Sequence, residues 1–325
     1  MKFSATRSWI VCVGMLCLVV GDSSLRLQGK ADGLKPGTRV LLDAHNCYPY
    51  EGRWPDRIDR ALATGLPLAI EQDLFWYRDP AAGIWRSVVA HGTPITGSEP
   101  SMDEYFFQKI RPLMEQALRD DRRDTWPVIV LNLDFKTNEP EHHRAVWELL
   151  GRYQSWLSTA ERRKSVASVA RIEAGPLLVL TGDPDAQEQS FHDAVPVRQR
   201  LRLFGAVHPA EPGTRPQRSN YRRWSNNPWK VVEPEGQQKA GGWDAEDARR
   251  LRDAVQAAHK ARLWIRFYTL DGFDTADTSG GWSESYNFGS RAAAEERWRA
   301  VIRAGVDFVA VDQYEDYAAV ARTLR

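Results

Sequence analysis

Apolar runs of strand length alternate with stretches of helical spacing from residue 40 to residue 312. The runs at 40–45 (VLLDAH), 68–74 (LAIEQDL), 127–136 (PVIVLNLDFK), 177–181 (LLVLT), 201–207 (LRLFGAV), 228–233 (PWKVVE), 262–270 (RLWIRFYTL) and 307–312 (DFVAVD) predict eight strands, the sixth being the weakest. Residues 56–64 carry Ile58 and Leu62 and stop at Gly65, and residues 102–119 set Phe106, Ile110, Leu113, Met114 and Ala117 on one stripe. Residues 244–260 and 291–304 repeat the pattern, the second stopping at Gly305. Strands alternating with helices form parallel β-α units, and eight of them predict an α/β fold: a single (β/α)8 TIM barrel rather than an open sheet. Residues 85–92 (WRSVVAHG) break the unit and read as the return arm of a hairpin turning at 79–83. Residues 211–229, rich in Pro, Arg and Asn, do not fit either. Nor do residues 271–289, where Trp282, Tyr286 and Phe288 are interleaved with Gly, Ser and Asp. Both follow strand candidates and so become loops on the catalytic face, with a substrate-facing role favoured over surface decoration.

The first residues have a different character. Lys2 and Arg7 precede an apolar run from Trp9 to Val20, which ends in Gly21-Asp22-Ser23-Ser24. As a helix this run rises about 18 Å, short of a hydrocarbon core of about 30 Å. The pattern predicts a secretory signal peptide over residues 1–21 and an exported barrel domain over 22–325, destined for secretion, the periplasm or the cell envelope. A retained anchor is the next reading. A lipoprotein fits less well, because Leu16 before Cys17 is bulky. With the signal removed, Cys47 is the lone cysteine, and no intramolecular disulfide braces the domain.

The 325 residues hold 44 Lys+Arg against 43 Asp+Glu, a net charge of +1, which excludes a polybasic nucleic-acid binder. Thirteen Trp, 10 Tyr and 11 Phe exclude a disordered chain. Residues 198–202 and the pair Arg222-Arg223 offer basic groups for transient contact with an anionic membrane surface, but so balanced a charge favours a plain solvated face at each.

The candidate chemistry lies where core strands carry polar residues. The first strand ends in Asp43-Ala44-His45-Asn46, the second carries Glu71 and Asp73, and the third ends in Asp134-Phe135-Lys136. Residues two apart in a strand share a face, so Glu71 points with Asp73 and Asp134 with Lys136. The carboxyl ends of neighbouring barrel strands converge, which gathers His45, Asn46, Glu71, Asp73 and Asp134 at one pocket. Three carboxylates at close range repel unless a cation compensates them. Oxygen donors, with the Asn46 amide as a fourth, suit one hard divalent cation, Mg2+ or Ca2+. The hairpin returns His91 over the same end. Two histidines flanking a phosphodiester can take a proton from an attacking hydroxyl and give one to the departing alkoxide, with Lys136 on the phosphate oxygens.

In this order, His45-Asn46, Glu71-x-Asp73, Val-Ala-His91 and Asp134-x-Lys136 resemble the phosphatidylinositol-phospholipase-C-like (PLC-like) phosphodiesterase superfamily. That group includes glycerophosphodiester phosphodiesterases, venom-type sphingomyelinase D and the catalytic barrel of phosphoinositide phospholipase C. Residues 265–271 (IRFYTLD) resemble its seventh strand, with Tyr268 where Trp is frequent, and residues 305–312 resemble its eighth. The resemblance implies that His45 and His91 are the acid/base pair and that Glu71, Asp73 and Asp134 are metal ligands. It also implies that Lys136 contacts phosphate and that Tyr268 packs on substrate. His45-Asn46-Cys47 stands where glycerophosphodiesterases usually show His-Arg-Gly, and His91-Gly92 where they show His-Asp. His-Asn is reminiscent instead of phosphoinositide phospholipase C, whose Asn binds calcium, and Asp-x-Lys of the venom-type enzymes. The head group therefore stays open.

The expectation is an exported, metal-dependent phosphoric diester hydrolase acting on a small-molecule or lipid phosphodiester, with its oligomeric state open. A glycoside hydrolase on a TIM barrel would use paired carboxylates but leaves both histidines and Lys136 idle. A catalytically inactive barrel binding a lipid or envelope component is the rival from another class. Each residue also has a plain structural role open to it. His45 can be a hydrogen-bonded strand end, Glu71 and Asp73 can pair with arginines, Asn46 can cap a turn, Lys136 can be solvated and Tyr268 can be core. His142-His143 reads as an exposed charged turn at a helix start, beside Glu139 and Glu141. No partner is evident for His192, His208 or His259, and Cys47 has no base beside it in sequence.

Overall fold

Alternate side chains of a strand face opposite ways, and that rule divides the core in two. Leu41, Ala69, Val130, Leu178, Trp264 and Phe308 pack together in one buried cluster. Their chain neighbours Leu42, Ile70, Leu131, Val179, Ile265 and Val309 pack in another, with helix residues such as Ile110, Leu150, Leu251 and Val301. The first cluster fills the inside of a barrel; the second joins the barrel to its helices.

The architecture comes from a computed structural model that describes residues 34–50, 53–80, 82–208, 216–274 and 284–324. All lie in one compact unit, Ala31–Arg325. The elements run β1 (Leu41–Ala44), α1 (Arg57–Ala63), β2 (Leu68–Arg78), β3 (Trp85–Val89), α2 (Gln108–Asp120), β4 (Ile129–Phe135), α3 (Pro140–Arg152), β5 (Thr159–Glu161) and β6 (Ile172–Glu173). They continue with β7 (Leu177–Thr181), α4 (Asp185–Glu188), β8 (Arg200–Leu201), β9 (Phe204–Ala206), β10 (Arg222–Pro228), α5 (Ala245–Lys260), β11 (Trp264–Tyr268), α6 (Arg291–Ala304), β12 (Phe308–Val311) and α7 (Tyr314–Arg322). Strands β1, β2, β4, β7, β9, β10, β11 and β12 pair parallel in that order, and β12 pairs back onto β1. The result is a closed (β/α)8 barrel. Strand β3 pairs antiparallel with the overhanging end of β2, as the hairpin reading expected, and β5, β6 and β8 form a small separate sheet.

Helix boundaries follow their caps. Asp244 accepts from the amides of Glu246 and Asp247, and Asp247 reciprocates onto the Asp244 amide, a capping box that starts α5. Helix α6 starts on Ser290 and ends at Gly305, whose φ of 77° favours a residue without Cβ. Among the described residues no helix is long and apolar enough to cross a membrane. The segment read as a signal peptide, 1–21, lies outside the described residues.

Four expectations need correction. The sixth barrel strand is not 228–233 but β10, Arg222–Pro228, inside the stretch read as a loop, while residues 229–231 form a single 3-10 turn. Its polar sequence hid it. Arg222 and Arg223 are accordingly buried rather than solvated. Arg222 pairs with Asp185 at 2.9 Å and Glu188 at 2.6 Å, and Arg223 donates to the carbonyls of Asn220 and Ala170. His142 and His143 are buried on α3 rather than exposed: they pack on Phe135 and bond to Ser87, Thr137, Asn138 and Ser190. His192, His208 and His259 also have partners, in Asp193, Asp185 and Asp307 respectively.

Candidate active site

The inward parity that begins with apolar residues continues upward with charge. From Leu41 it leads to Asp43 and His45, from Ala69 to Glu71 and Asp73, and from Val130 to Asn132 and Asp134. From Trp264 it leads to Arg266 and Tyr268, and from Phe308 to Ala310 and Asp312. The register places Glu71 opposite Asn132 and Asp73 opposite Asp134 on the paired strands β2 and β4. One carboxylate oxygen from each of Glu71, Asp73 and Asp134 lies within 4.8 Å of the others. The site thus forms at the end of the barrel where the strands finish.

His45 leaves the end of β1 with its amide bonded to the Val311 carbonyl, and its ring is held between two acids. Nδ1 lies 3.2 Å from Asp312 and Nε2 lies 3.4 Å from Glu71. Burial alone would lower its pKa, but the charges of Glu71 and Asp312 outweigh burial and bring it up to about 9. Asn46 takes a left-handed φ of 49°, a conformation Asn tolerates, and turns its amide N–H onto Glu71 at 3.1 Å. The Asn46 side chain donates to Asp312 and accepts from Tyr48.

Glu71 stays ionised. Burial opposes its charge, yet His45, Arg266, Lys136 and the Asn46 amide hold its pKa at about 2. Asp73 goes the other way, raised to about 8 by burial and by Asp134. Tyr48 Oη stands 2.8 Å from Asn46 Oδ1 and 2.7 Å from Asp73 Oδ2. With one proton to give, it can satisfy both only if Asp73 is itself protonated. Lys136 bridges Asp73 at 2.9 Å and Asp134 at 2.7 Å, and those carboxylates keep it charged against the opposing effect of burial. One ammonium leaves the acids undercompensated, as the raised Asp73 shows. An all-oxygen donor set with excess negative charge fits a hard divalent cation, which Glu71, Asp73 and Asp134 can hold. Asp73→Asn is therefore expected to raise the Tm of the cation-free protein by about 2–5 °C at pH 8 and by less at pH 5. The sign follows from linkage: a carboxyl raised on folding lends stability below its unfolded pKa and loses it as the pH climbs through 8. Differential scanning calorimetry at the two pH values checks this.

His91 follows β3, whose hairpin lays the Ala90 amide on the Asp73 carbonyl at 3.0 Å. Its exposed ring stands edge-on to Tyr50 and is lowered in pKa, first by burial and then by Lys136, while feeling Asp134, His45 and Glu71 as well. Tyr268, half-buried at the end of β11, lies under Arg266 and edge-on to Tyr286, which is also edge-on to His45. Tyr286 belongs to the 271–289 stretch, part of which thereby reaches the site.

Several residues escaped the sequence reading. Arg266 crosses the barrel to pair with Asp43 and, at 2.9 Å, with Glu71. Arg57 donates to the Asn46 carbonyl at 2.8 Å and pairs with Asp312 at 3.3 Å. The signal for Asp43, Arg266 and Asp312 was the same one that exposed Glu71: a charge in an apolar strand. Cys47 is fully buried, and burial pushes its thiol up to about 12, which keeps it inert.

No protein-family model and no curated protein sequence matches this chain. Solved structures do. A glycerophosphoryl diester phosphodiesterase from Parabacteroides distasonis aligns at TM-score 0.44 and 14% identity, covering 88% of this chain and 87% of its own. A calcium-dependent phosphoinositol-specific phospholipase C from a Pseudomonas species aligns at 0.48 and 15%, covering 90% and 94%. The likeness is one of fold. A hyperthermophilic endo-β-1,4-glucanase aligns at 0.41 and 12%, covering 86% and 90%.

Proposed function

We propose that this chain is a cation-dependent phosphoric diester hydrolase acting on a glycerophosphodiester or phospholipid head group. The observation that carries the reading is the pairing of one carboxylate triad, Glu71, Asp73 and Asp134, with His45, His91 and Lys136 at a single mouth. A glycosidase would require two carboxyls free to act as acid and base. Here Glu71 is fixed by Arg266 and Asn46, and Asp73 and Asp134 are joined by Lys136.

Bound at Glu71, Asp73 and Asp134, a divalent cation such as Mg2+ or Ca2+ would supply charge neutralisation to the phosphate oxygens. The chain's own residues do the rest. Asp312 on Nδ1 orients His45 and stabilises its imidazolium, which makes Nε2 the working atom. Held charged by Glu71 and Asp312, Nε2 gives its proton to the departing alkoxide as the old P–O bond breaks. His91, whose pKa is lowered, takes the proton of the attacking hydroxyl as the new P–O bond forms. Where the substrate offers a neighbouring hydroxyl, a cyclic phosphate is the first product. Lys136 orients phosphate oxygens, and Tyr268 with Tyr286 forms an aromatic wall for the head group. The N-terminal pattern of residues 1–21 supports export, which places such an enzyme where envelope lipids or their breakdown products occur.

The test is a panel of glycerophosphodiesters, lysophospholipids, sphingomyelin and phosphatidylinositol, assayed with Mg2+ and with Ca2+ beside a cellulosic oligosaccharide. Cleavage of at least one phosphodiester and none of the oligosaccharide is expected. Oligosaccharide cleavage without added cation would overturn the proposal.

A further inference from the structure

The opposite end of the barrel, where the strands begin, holds a second charged recess. It measures about 850 Å³ and is lined by six Lys or Arg side chains against one carboxylate, Glu173. The whole chain carries a net charge of only +1, so this excess is local and not a consequence of composition. Five of the cations, Lys35, Arg171, Arg218, Arg223 and Arg262, have no carboxylate within ion-pair distance among the described residues. Glu173 is already taken by Arg200. Asp307 beneath the recess is spent on His259, the Gly37 amide and the Ile265 amide.

Arg223 is the decisive member. It is 1% exposed, and its Nε and Nη2 are fixed by the Asn220 carbonyl at 3.1 Å and the Ala170 carbonyl at 2.9 Å. Its Nη1 is buried without a partner, as is Nε of Arg218. Leaving guanidinium N–H groups both buried and unsatisfied is costly, and a second cation beside them adds repulsion. Burial and Arg218 together bring the Arg223 pKa down to about 9. Arg171 and Arg262, exposed at the rim, can swing onto whatever enters.

We propose that this recess binds a multiply charged phosphate-type anion, which the buried Arg223 reads from below and Arg171 and Arg262 clamp from the rim. Guanidinium forks match the oxygens of phosphate in pairs, whereas a singly charged carboxylate would leave most of these cations uncompensated. The site is separate from the histidine mouth: Trp264 lines the recess at the start of β11, and Tyr268 reaches the mouth at its end. Its ligand can be a soluble phosphorylated molecule or a lipid head group, both presenting the same chemistry.

Isothermal titration calorimetry of the EDTA-dialysed chain with pyrophosphate tests the proposal, in a Lys136→Met background to silence the mouth. One bound pyrophosphate is expected, weakened at least tenfold by Arg171→Gln/Arg262→Gln and weakened by salt. Arg223→Met should do the same, with circular dichroism confirming its fold. Sedimentation with phosphatidic acid vesicles, whose monoester phosphate is multiply charged, against phosphatidylcholine vesicles, is the second arm. Pyrophosphate binding identifies a soluble ligand, and vesicle binding without it identifies a head group. In the otherwise unaltered chain, Arg171→Gln/Arg262→Gln should leave phosphodiester hydrolysis unchanged, so failure here is distinguishable from failure of the catalytic reading. Absence of binding in both arms, or binding indifferent to Arg171→Gln/Arg262→Gln, would overturn the proposal.

Discussion

His45→Ala is expected to lower kcat for phosphodiester hydrolysis by about 1,000-fold or more in protein that is still folded, because the ring acts on the reacting proton. It should lower the Tm as well, because a charge between two buried acids is lost. The ring touches Glu71 and Asp312 but belongs to neither buried apolar cluster. His45→Gln should be just as inactive, since an amide can fill the gap but cannot hold and return a proton. Steady-state kinetics on any diester cleaved by the unaltered chain, beside a thermal melt, separates the two effects. A variant keeping a tenth of the activity would mean that another group supplies the proton.

Arg266→Met should have the largest effect on folding. The guanidinium is 3% exposed and serves Asp43, Glu71 and the Asn226 side chain at once. Removing it leaves Asp43 buried without its cation and takes from Glu71 one of its partners, and breaking such a set by deleting one partner costs about 3–5 kcal/mol. Asp43 already has one oxygen without a hydrogen-bond partner, so it has no spare bond to fall back on. Urea denaturation should show the midpoint falling at unchanged slope, with Arg266→Lys recovering only part because an ammonium cannot fork to two acids. A loss below 1 kcal/mol would show that these carboxylates are protonated or otherwise served.

The alternation of strands and helices was readable because seven barrel strands are apolar enough to stand out. Strand β10 was not, since RRWSNNP carries its polar groups into contacts that only the folded barrel provides: acids on α4 for Arg222, carbonyls for Arg223. The same logic hid the burial of His142 and His143 at the start of α3: they look solvent-loving yet lose their polarity to hydrogen bonds under Phe135. At the mouth, parity within one strand revealed Glu71 with Asp73. Pairing across strands, which brings Arg266 to Asp43 over 223 residues, has no local signature. Charges inside a barrel are visible singly; their partners are visible only once the barrel closes.

The central claim is that three carboxylates from two strands hold the cation on which diester cleavage depends. Rates for glycerophosphodiester or phospholipid cleavage should be measured after dialysis against EDTA, then again after adding back Mg2+ or Ca2+, for the unaltered chain and for Asp73→Asn. Activity should vanish with the chelator and return with one of the ions in the unaltered chain, while Asp73→Asn stays inactive throughout. Undiminished cleavage in EDTA, or full rescue of Asp73→Asn, would contradict the account.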